Sequence, residues 1–263
     1  MSESRGHFVW YELATTEGAR AAEFYRTVVG WRAAPAGTAH PDYTILSAGE
    51  TPIGGIAELP AATFDGGATP GWIGYIGVDD VDAFAAAVIR AGGHIRRIAE
   101  DIPGIGRFAV AADPQGARFT LFTPFGDQAA AAPGGATPGR VGWHELHAAD
   151  RDSAFAFYAD LFGWTKTDAI DMGPMGIYQT FATGGPTGDG MVGGMMTKAE
   201  AMPAPTWLYY VNVDDTSAAV ARIKEAGGQV VNGPHQVPGG SWIAQGVDPQ
   251  GSMFAVVGPN SAA

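Results

Sequence analysis

Cysteine is absent from this chain of 263 residues, which excludes a disulfide framework, a thiolate metal site and a cysteine nucleophile. Charge is scarce: Asp, Glu, Lys and Arg make up 16% of residues, with 15 basic against 27 acidic. A formal charge of −12 without a basic stripe argues against nucleic acid and anionic membrane as partners. No apolar run approaches the roughly 18 residues of a membrane span, and the opening Met1-Ser2-Glu3-Ser4-Arg5-Gly6 lacks a signal-peptide core. The expectation is a cytoplasmic protein, monomer or homodimer, whose partner is a small molecule. No GxSxG elbow, HExxH helix or phosphate-binding loop occurs, and the glycine-dense stretch 184–190 precedes a strand, which suits a hairpin lip better than a phosphate cradle.

What is present is glycine (39), proline (18) and a 46% share of apolar residues, the composition of a compact, turn-rich fold. The dominant pattern is an internal duplication. Shifting the chain by 133 positions superposes Trp10 on Trp143, Glu12 on Glu145, Phe24-Tyr25 on Phe157-Tyr158 and Gly30-Trp31 on Gly163-Trp164. A shift of 135 superposes Trp72 on Trp207, Val78-Asp79-Asp80 on Val213-Asp214-Asp215, and Asp113-Pro114-Gln115-Gly116 on Asp248-Pro249-Gln250-Gly251. Two added residues in the middle of the second copy account for the change. The predicted domains are 1–125 and 140–263, joined by the Ala/Gly/Pro-rich linker 126–139.

Within each copy the elements follow from periodicity and punctuation. Residues 8–14 read as a strand, and a helix begins near Glu17 and stops at Gly30. Strands are predicted at 43–47, 53–57 and 72–78. Asp79-Asp80 caps a helix ended by Gly92-Gly93, and strands 108–112 and 118–122 flank the tight turn at Asp113. The fold class is α+β, a strand-helix-three-strand module occurring four times.

A Phe-Tyr pair in the first helix, the Gly-Trp after it, the Gly-Gly helix stop and the Asp-Pro-x-Gly hairpin together resemble the vicinal oxygen chelate superfamily of glyoxalase I, extradiol dioxygenases, fosfomycin-resistance enzymes and bleomycin-binding proteins. The resemblance covers nearly the whole chain as two tandem domains. It implies four βαβββ modules whose curled sheets form cups around a ligand. Metal enzymes of the superfamily carry His, Gln or Glu at four cup-facing positions. Those positions fall here on Trp10 and Trp143, Gly55 and Gly194, Ile73 and Leu208, and Thr120 and Ala255. None is a usual ligand. The resulting expectation is no metal or other cofactor, with a divalent metal ion as the alternative.

Strand alternation then nominates other cup residues. Phe8, Trp10 and Glu12 should share one face, with Val9, Tyr11 and Leu13 toward the helix; Trp143 and Glu145 should share a face with Val141 and His147, leaving His144 on the helix side. A carboxylate in an apolar strand needs a partner or a task. Glu12 and Glu145 are the candidate catalytic groups, with a structural hydrogen-bonding role and ligand recognition as the competing roles. Trp10, Trp143, Thr120, Arg118, His147, Met195 and Met253 are the candidate substrate-binding residues, because Trp offers flat stacking surface and Met adapts to irregular apolar shapes. The functional expectation is metal-independent sequestration or acid–base conversion of an apolar or aromatic small molecule. A divalent-metal-dependent lyase, isomerase or dioxygenase of the glyoxalase type is the alternative.

Overall fold

The computed structural model describes residues 4–38, 40–65, 70–126, 135–184 and 190–262. Residues 127–134 of the expected linker and 185–189 of the expected lip lie outside the described residues.

The first copy runs β1 (Phe8–Thr15), α1 (Gly18–Val29), β2 (Arg32–Pro35), β3 (Tyr43–Ala48), β4 (Thr51–Glu58), α2 (Ala61–Asp65), β5 (Gly71–Gly77), α3 (Val81–Arg90), β6 (His94–Ile102), β7 (Gly106–Ala112) and β8 (Arg118–Pro124). The second runs β9 (Val141–Ala148), α4 (Arg151–Phe162), β10 (Thr165–Asp171), β11 (Ile177–Ala182), β12 (Met191–Thr197), β13 (Thr206–Asn212), α5 (Thr216–Glu225), β14 (Gln229–Gln236), β15 (Trp242–Val247) and β16 (Met253–Gly258). Each copy makes one eight-stranded mixed sheet, ordered β2-β3-β4-β1-β5-β8-β7-β6 in the first and β10-β11-β12-β9-β13-β16-β15-β14 in the second. The predicted α+β class and fourfold βαβββ pattern hold. β2, β6, β10 and β14 were not separately delimited by the sequence, because these outer strands are largely exposed and lack an apolar face to announce them.

Contacts group the chain into two compact units, Met1–Trp10 with Ile73–Pro133 and Trp143–Leu208, and Tyr11–Trp72 with Gly134–Gly142 and Tyr209–Ala263. In the first unit Tyr158 of α4 is fully buried against Trp164, Trp207 and Phe119. Its hydroxyl accepts from Trp207 Nε1 at 3.0 Å and donates to Asp113 Oδ2 at 3.2 Å. The second unit repeats the device: Trp72 Nε1 donates to the Tyr25 hydroxyl at 2.7 Å, which donates to Asp248 Oδ2 at 3.0 Å. Each Asp also accepts amide hydrogen bonds from its own turn, from Gln115 and Ala117 or from Gln250 and Ser252. The repeated Phe-Tyr, Trp and Asp-Pro-Gln-Gly signatures are thus one tertiary connection, in which a buried turn carboxylate is satisfied by amides and by a helix tyrosine. Burial pushes both carboxyls up from the usual aspartate range against the downward pull of those hydrogen bonds.

The helix-covered face of each sheet is aromatic core. Phe181 of β11 stacks on Trp164 with ring centres 4.6 Å apart. Tyr11 of β1 meets Tyr209 of β13. Trp31 and Trp164, expected in the core, are each 2% exposed.

Candidate functional site

β9 and β12 are parallel, with Glu145 opposite Gly194, Leu146 opposite Met195 and His147 opposite Met196. β11 adds Thr180 opposite Gly194. Gly194 is required by what lies over it: a Cβ built there would collide with the ring of Tyr178, two residues before Thr180. The first copy repeats this arrangement, with Glu12 opposite Gly55 and the ring of Tyr43 over that glycine. A side chain longer than hydrogen at either glycine would have to displace a tyrosine.

Tyr178 is the centre of a hydrogen-bonded chain. Trp143 Nε1 donates to its hydroxyl at 2.7 Å, and the hydroxyl donates to Glu145 Oε2 at 2.9 Å. Glu145 Oε1 lies 2.7 Å from His147 Nε2, an ion pair whenever that ring is protonated. The carboxylate sits off the line of the ring N–H, so this nitrogen makes no aligned hydrogen bond. Glu145 and His147 are 7% and 9% exposed, while Trp143 and Tyr178 are half-buried at the edge of the cluster. Burial, and next the charge of Glu145, hold the Tyr178 phenol well above its usual range, so Tyr178 stays a donor and cannot serve as a base near neutrality. The arrangement gives one buried carboxylate an indole-backed phenol on one side and an imidazole on the other. It can orient a polar group or move a proton at Glu145.

His144, between Trp143 and Glu145, points to the helix side as expected. Its ring stacks on Phe8 at 4.1 Å, and Nδ1 lies 2.7 Å from the carbonyl of Val192. A carbonyl only accepts, so the neutral ring carries its proton on Nδ1. Burial lowers its pKa to about 4.

Val9, expected toward the helix, packs instead with Ile73, Tyr75 and Phe108 beside Trp10, and three more expected placements are corrected. Phe8 does not share the face of Trp10 and Glu12; it packs on His144, Trp164 and Trp207 in the aromatic core. Val141, expected beside Trp143 and Glu145, lines the core with Tyr25, Trp31 and Phe254. The physical reason is the same in both strands. β1 hydrogen-bonds Gly77 at His7 and pairs with β4 only from Tyr11 onward, and β9 likewise bonds Asn212 at Arg140 before pairing with β12. Strict alternation fails where the partner changes. Third, Met195 is fully buried opposite Leu146, in step with Gly193, which abuts Phe181. It is core, and the methionine on the side of Glu145 and His147 is the half-buried Met196.

Among the remaining candidates, Thr120 and Met253 lie opposite the helix-covered face, since Phe119 packs on Phe157 and Tyr158 and Phe254 on Phe24 and Tyr25. Thr120 is fully buried and its hydroxyl has no hydrogen-bond partner among the described residues. Around it the first copy presents an apolar cluster of Val9, Ile73, Tyr75 and Phe108, with Trp10, Val110 and Phe122 against it. Arg118 is half-buried at the start of β8. Tyr43 and Tyr178 were missed by the sequence reading. The signal available was that a shift of 135 superposes them.

Comparison with known proteins defines the family. A model of the Glyoxalase/Bleomycin resistance protein/Dioxygenase superfamily matches residues 6–121 and 140–256, and the chain belongs to that superfamily. The protein named "Putative glyoxylase CFP32" of Mycobacterium bovis is 32% identical over 257 residues, 95% of this chain and 94% of the relative. The "Anthracycline biosynthesis protein DauV" of Streptomyces sp. is 30% identical over 262 residues, 94% of this chain and 91% of the relative. Among solved structures, the Mn(II)-bound glyoxalase of Novosphingobium aromaticivorans superposes over 99% of this chain and 85% of its own with a TM-score of 0.63 at 16% identity. The 2,2',3-trihydroxybiphenyl 1,2-dioxygenase of Sphingomonas wittichii matches 98% of this chain and 91% of its own, also at 0.63, with 14% identity. At these identities the structures establish the fold alone.

Proposed function

We propose that this protein binds an apolar or aromatic small molecule without a metal ion, and that Glu145, held by Tyr178 and Trp143 and flanked by His147, is the group that orients the ligand or exchanges a proton with it. The observation that carries this reading is the tyrosine over Gly194. At the family's four ligand positions the second copy offers Trp143, Gly194, Leu208 and Ala255, none with a donor suited to a divalent ion. The space beside Gly194, where a ligand side chain would begin, is filled by the Tyr178 ring, whose hydroxyl is committed to Glu145. Among the described residues no three His, Asp or Glu side chains converge as a metal site. The residues present do not fit the ion of the metal-dependent relatives, and no chemical step is routed through one.

Under this reading Glu12, under Tyr43 and opposite Gly55, is the corresponding group of the first copy. Among the described residues no helix is long and apolar enough to cross a membrane. The full-length relative whose name refers to anthracycline biosynthesis favours a flat polycyclic ligand. The alternative, a glyoxalase-type metal-dependent lyase, isomerase or dioxygenase, draws support from the relative named as a putative glyoxylase.

Titration of the whole protein with 1,8-dihydroxyanthraquinone, followed by tryptophan fluorescence, tests the proposal. Saturable binding is expected, unchanged by EDTA and weakened about tenfold by Glu145→Gln, the loss of one charge-assisted hydrogen bond. Binding abolished by EDTA would overturn the metal-free reading. Affinity and any turnover unchanged in Glu145→Gln would remove Glu145 from the site.

A further inference from the structure

The first compact unit also holds an idle hydroxyl. Thr120 of β8 is fully buried, and its Oγ1 meets no hydrogen-bond partner among the described residues. It is paired with Tyr75 of β5 on one side and Val110 of β7 on the other, so the three side chains stand together on one face of the sheet. The helices cover the opposite face, where the adjacent Phe119 packs on Phe157 and Tyr158. Thr120 therefore stands on the face that the helices leave bare.

Around it lie the buried Ile73, Tyr75 and Phe108, with Trp10, Ile102, Val110 and Phe122 packed against them. The last four are only half-buried, so an apolar and aromatic floor is bordered by apolar side chains that solvent still reaches. Charge on this face is already matched. Arg97, over the Phe108 ring at 4.8 Å, is paired with Glu100, and Arg118 at the start of β8 has a partner of its own.

The second copy shows that the fold does not demand a hydroxyl at this position. A shift of 135 carries Thr120 to Ala255, which keeps the register, parallel to Tyr210 and antiparallel to Gln245, with no side-chain oxygen. Valine has the shape of threonine and would fill the place in the first copy without burying an idle O–H, which costs free energy in an apolar setting. A hydroxyl left unpaired at the centre of an apolar, aromatic face is matched by a ligand that is flat, apolar and carries one oxygen. Half-buried side chains such as Trp10 and Phe122 commonly change rotamer on binding, which gives such a ligand access to the hydroxyl.

We infer that this face of the first copy is a binding site of its own for a neutral aromatic molecule bearing a single hydroxyl or carbonyl oxygen, and that the Thr120 hydroxyl is its hydrogen-bonding contact. The site uses none of the residues of the Glu145 cluster and does not rest on the role proposed for that glutamate.

The test measures binding of 2-naphthol and naphthalene to the full-length protein by equilibrium dialysis, in wild type and in a Glu145→Gln background that separates any contribution of the second copy. Wild type should prefer 2-naphthol. Thr120→Val should weaken 2-naphthol about tenfold in both backgrounds and leave naphthalene within about twofold. It should unfold at no lower urea concentration than wild type, because it removes an unpaired hydroxyl. Thr120→Ser, which keeps the hydroxyl, should retain the preference. Lowered stability of Thr120→Val with unchanged affinities would make Thr120 structural and overturn the inference, as would equal losses for both probes. Failure of wild type to bind either probe would overturn it too, while the Glu145 reading keeps its own anthraquinone test. If Thr120→Val does not fold, Thr120→Ala, which installs the second copy's residue, decides.

Discussion

Between pH 7 and pH 4 the fold is expected to lose about 3 kcal/mol through one side chain, His144. Unfolded, this histidine titrates near the ordinary value of 6.5; folded, burial lowers it to about 4. Its pKa is depressed in the native state, so the unfolded chain binds the proton first. The stabilising contribution is whole above pH 6.5 and is lost as pH falls through about 4. Asp113 and Asp248 act oppositely. Their carboxyls are raised in the fold, so their contribution is present at low pH and lost as pH rises. His144→Phe keeps a ring to stack on Phe8 and removes the titration. Urea unfolding at pH 7, 5.5 and 4 should show the variant losing about 3 kcal/mol less than wild type across that range. Parallel losses would mean that His144 is not held neutral.

Gly194→Ala is expected to be the most disruptive single methyl in the candidate site. The added carbon meets the Tyr178 ring, which can retreat only by giving up its bonds to Trp143 and Glu145. Overpacking and a buried carboxylate deprived of its donor each cost about 1–3 kcal/mol, and loss of the Glu145 geometry should weaken the aromatic probe about tenfold. Adding the methyl to a Tyr178→Ala background should be nearly free, since the ring it displaces is gone. A double-mutant cycle measures this coupling. Additive effects would show that Tyr178 is not what Gly194 accommodates.

The difference between what sequence and structure each reveal follows from which interactions are local. Helix boundaries at Asp80 and Gly92 were legible because capping is local: Asp80 accepts from the Ala83 amide and Gly92 adopts a positive φ of 86°. The duplication exposed the repeated Tyr, Trp and Asp signatures but not their connection, since Tyr158 and Asp113 are separated by 45 residues and belong to different copies. Glu145 and His147 were found from alternation, which holds along the strand from Trp143. Phe8 and Val141 were misplaced where β1 and β9 change partners, an event set by tertiary pairing. Met195 was misplaced because the register of β12 against β9, and not the composition of β12, decides which methionine faces Glu145. Tyr178 was overlooked for a related reason. A tyrosine in a strand is ordinary, and only the glycine beneath it on the neighbouring strand makes it distinctive.

In the proposed function a tyrosine-held glutamate stands in place of a metal centre. This is tested most directly by the divalent metal content of protein purified without chelator, measured alongside probe affinity before and after EDTA. Far less than one ion per chain and no change in affinity are expected. One tightly held ion per copy, whose removal abolishes binding, would contradict it.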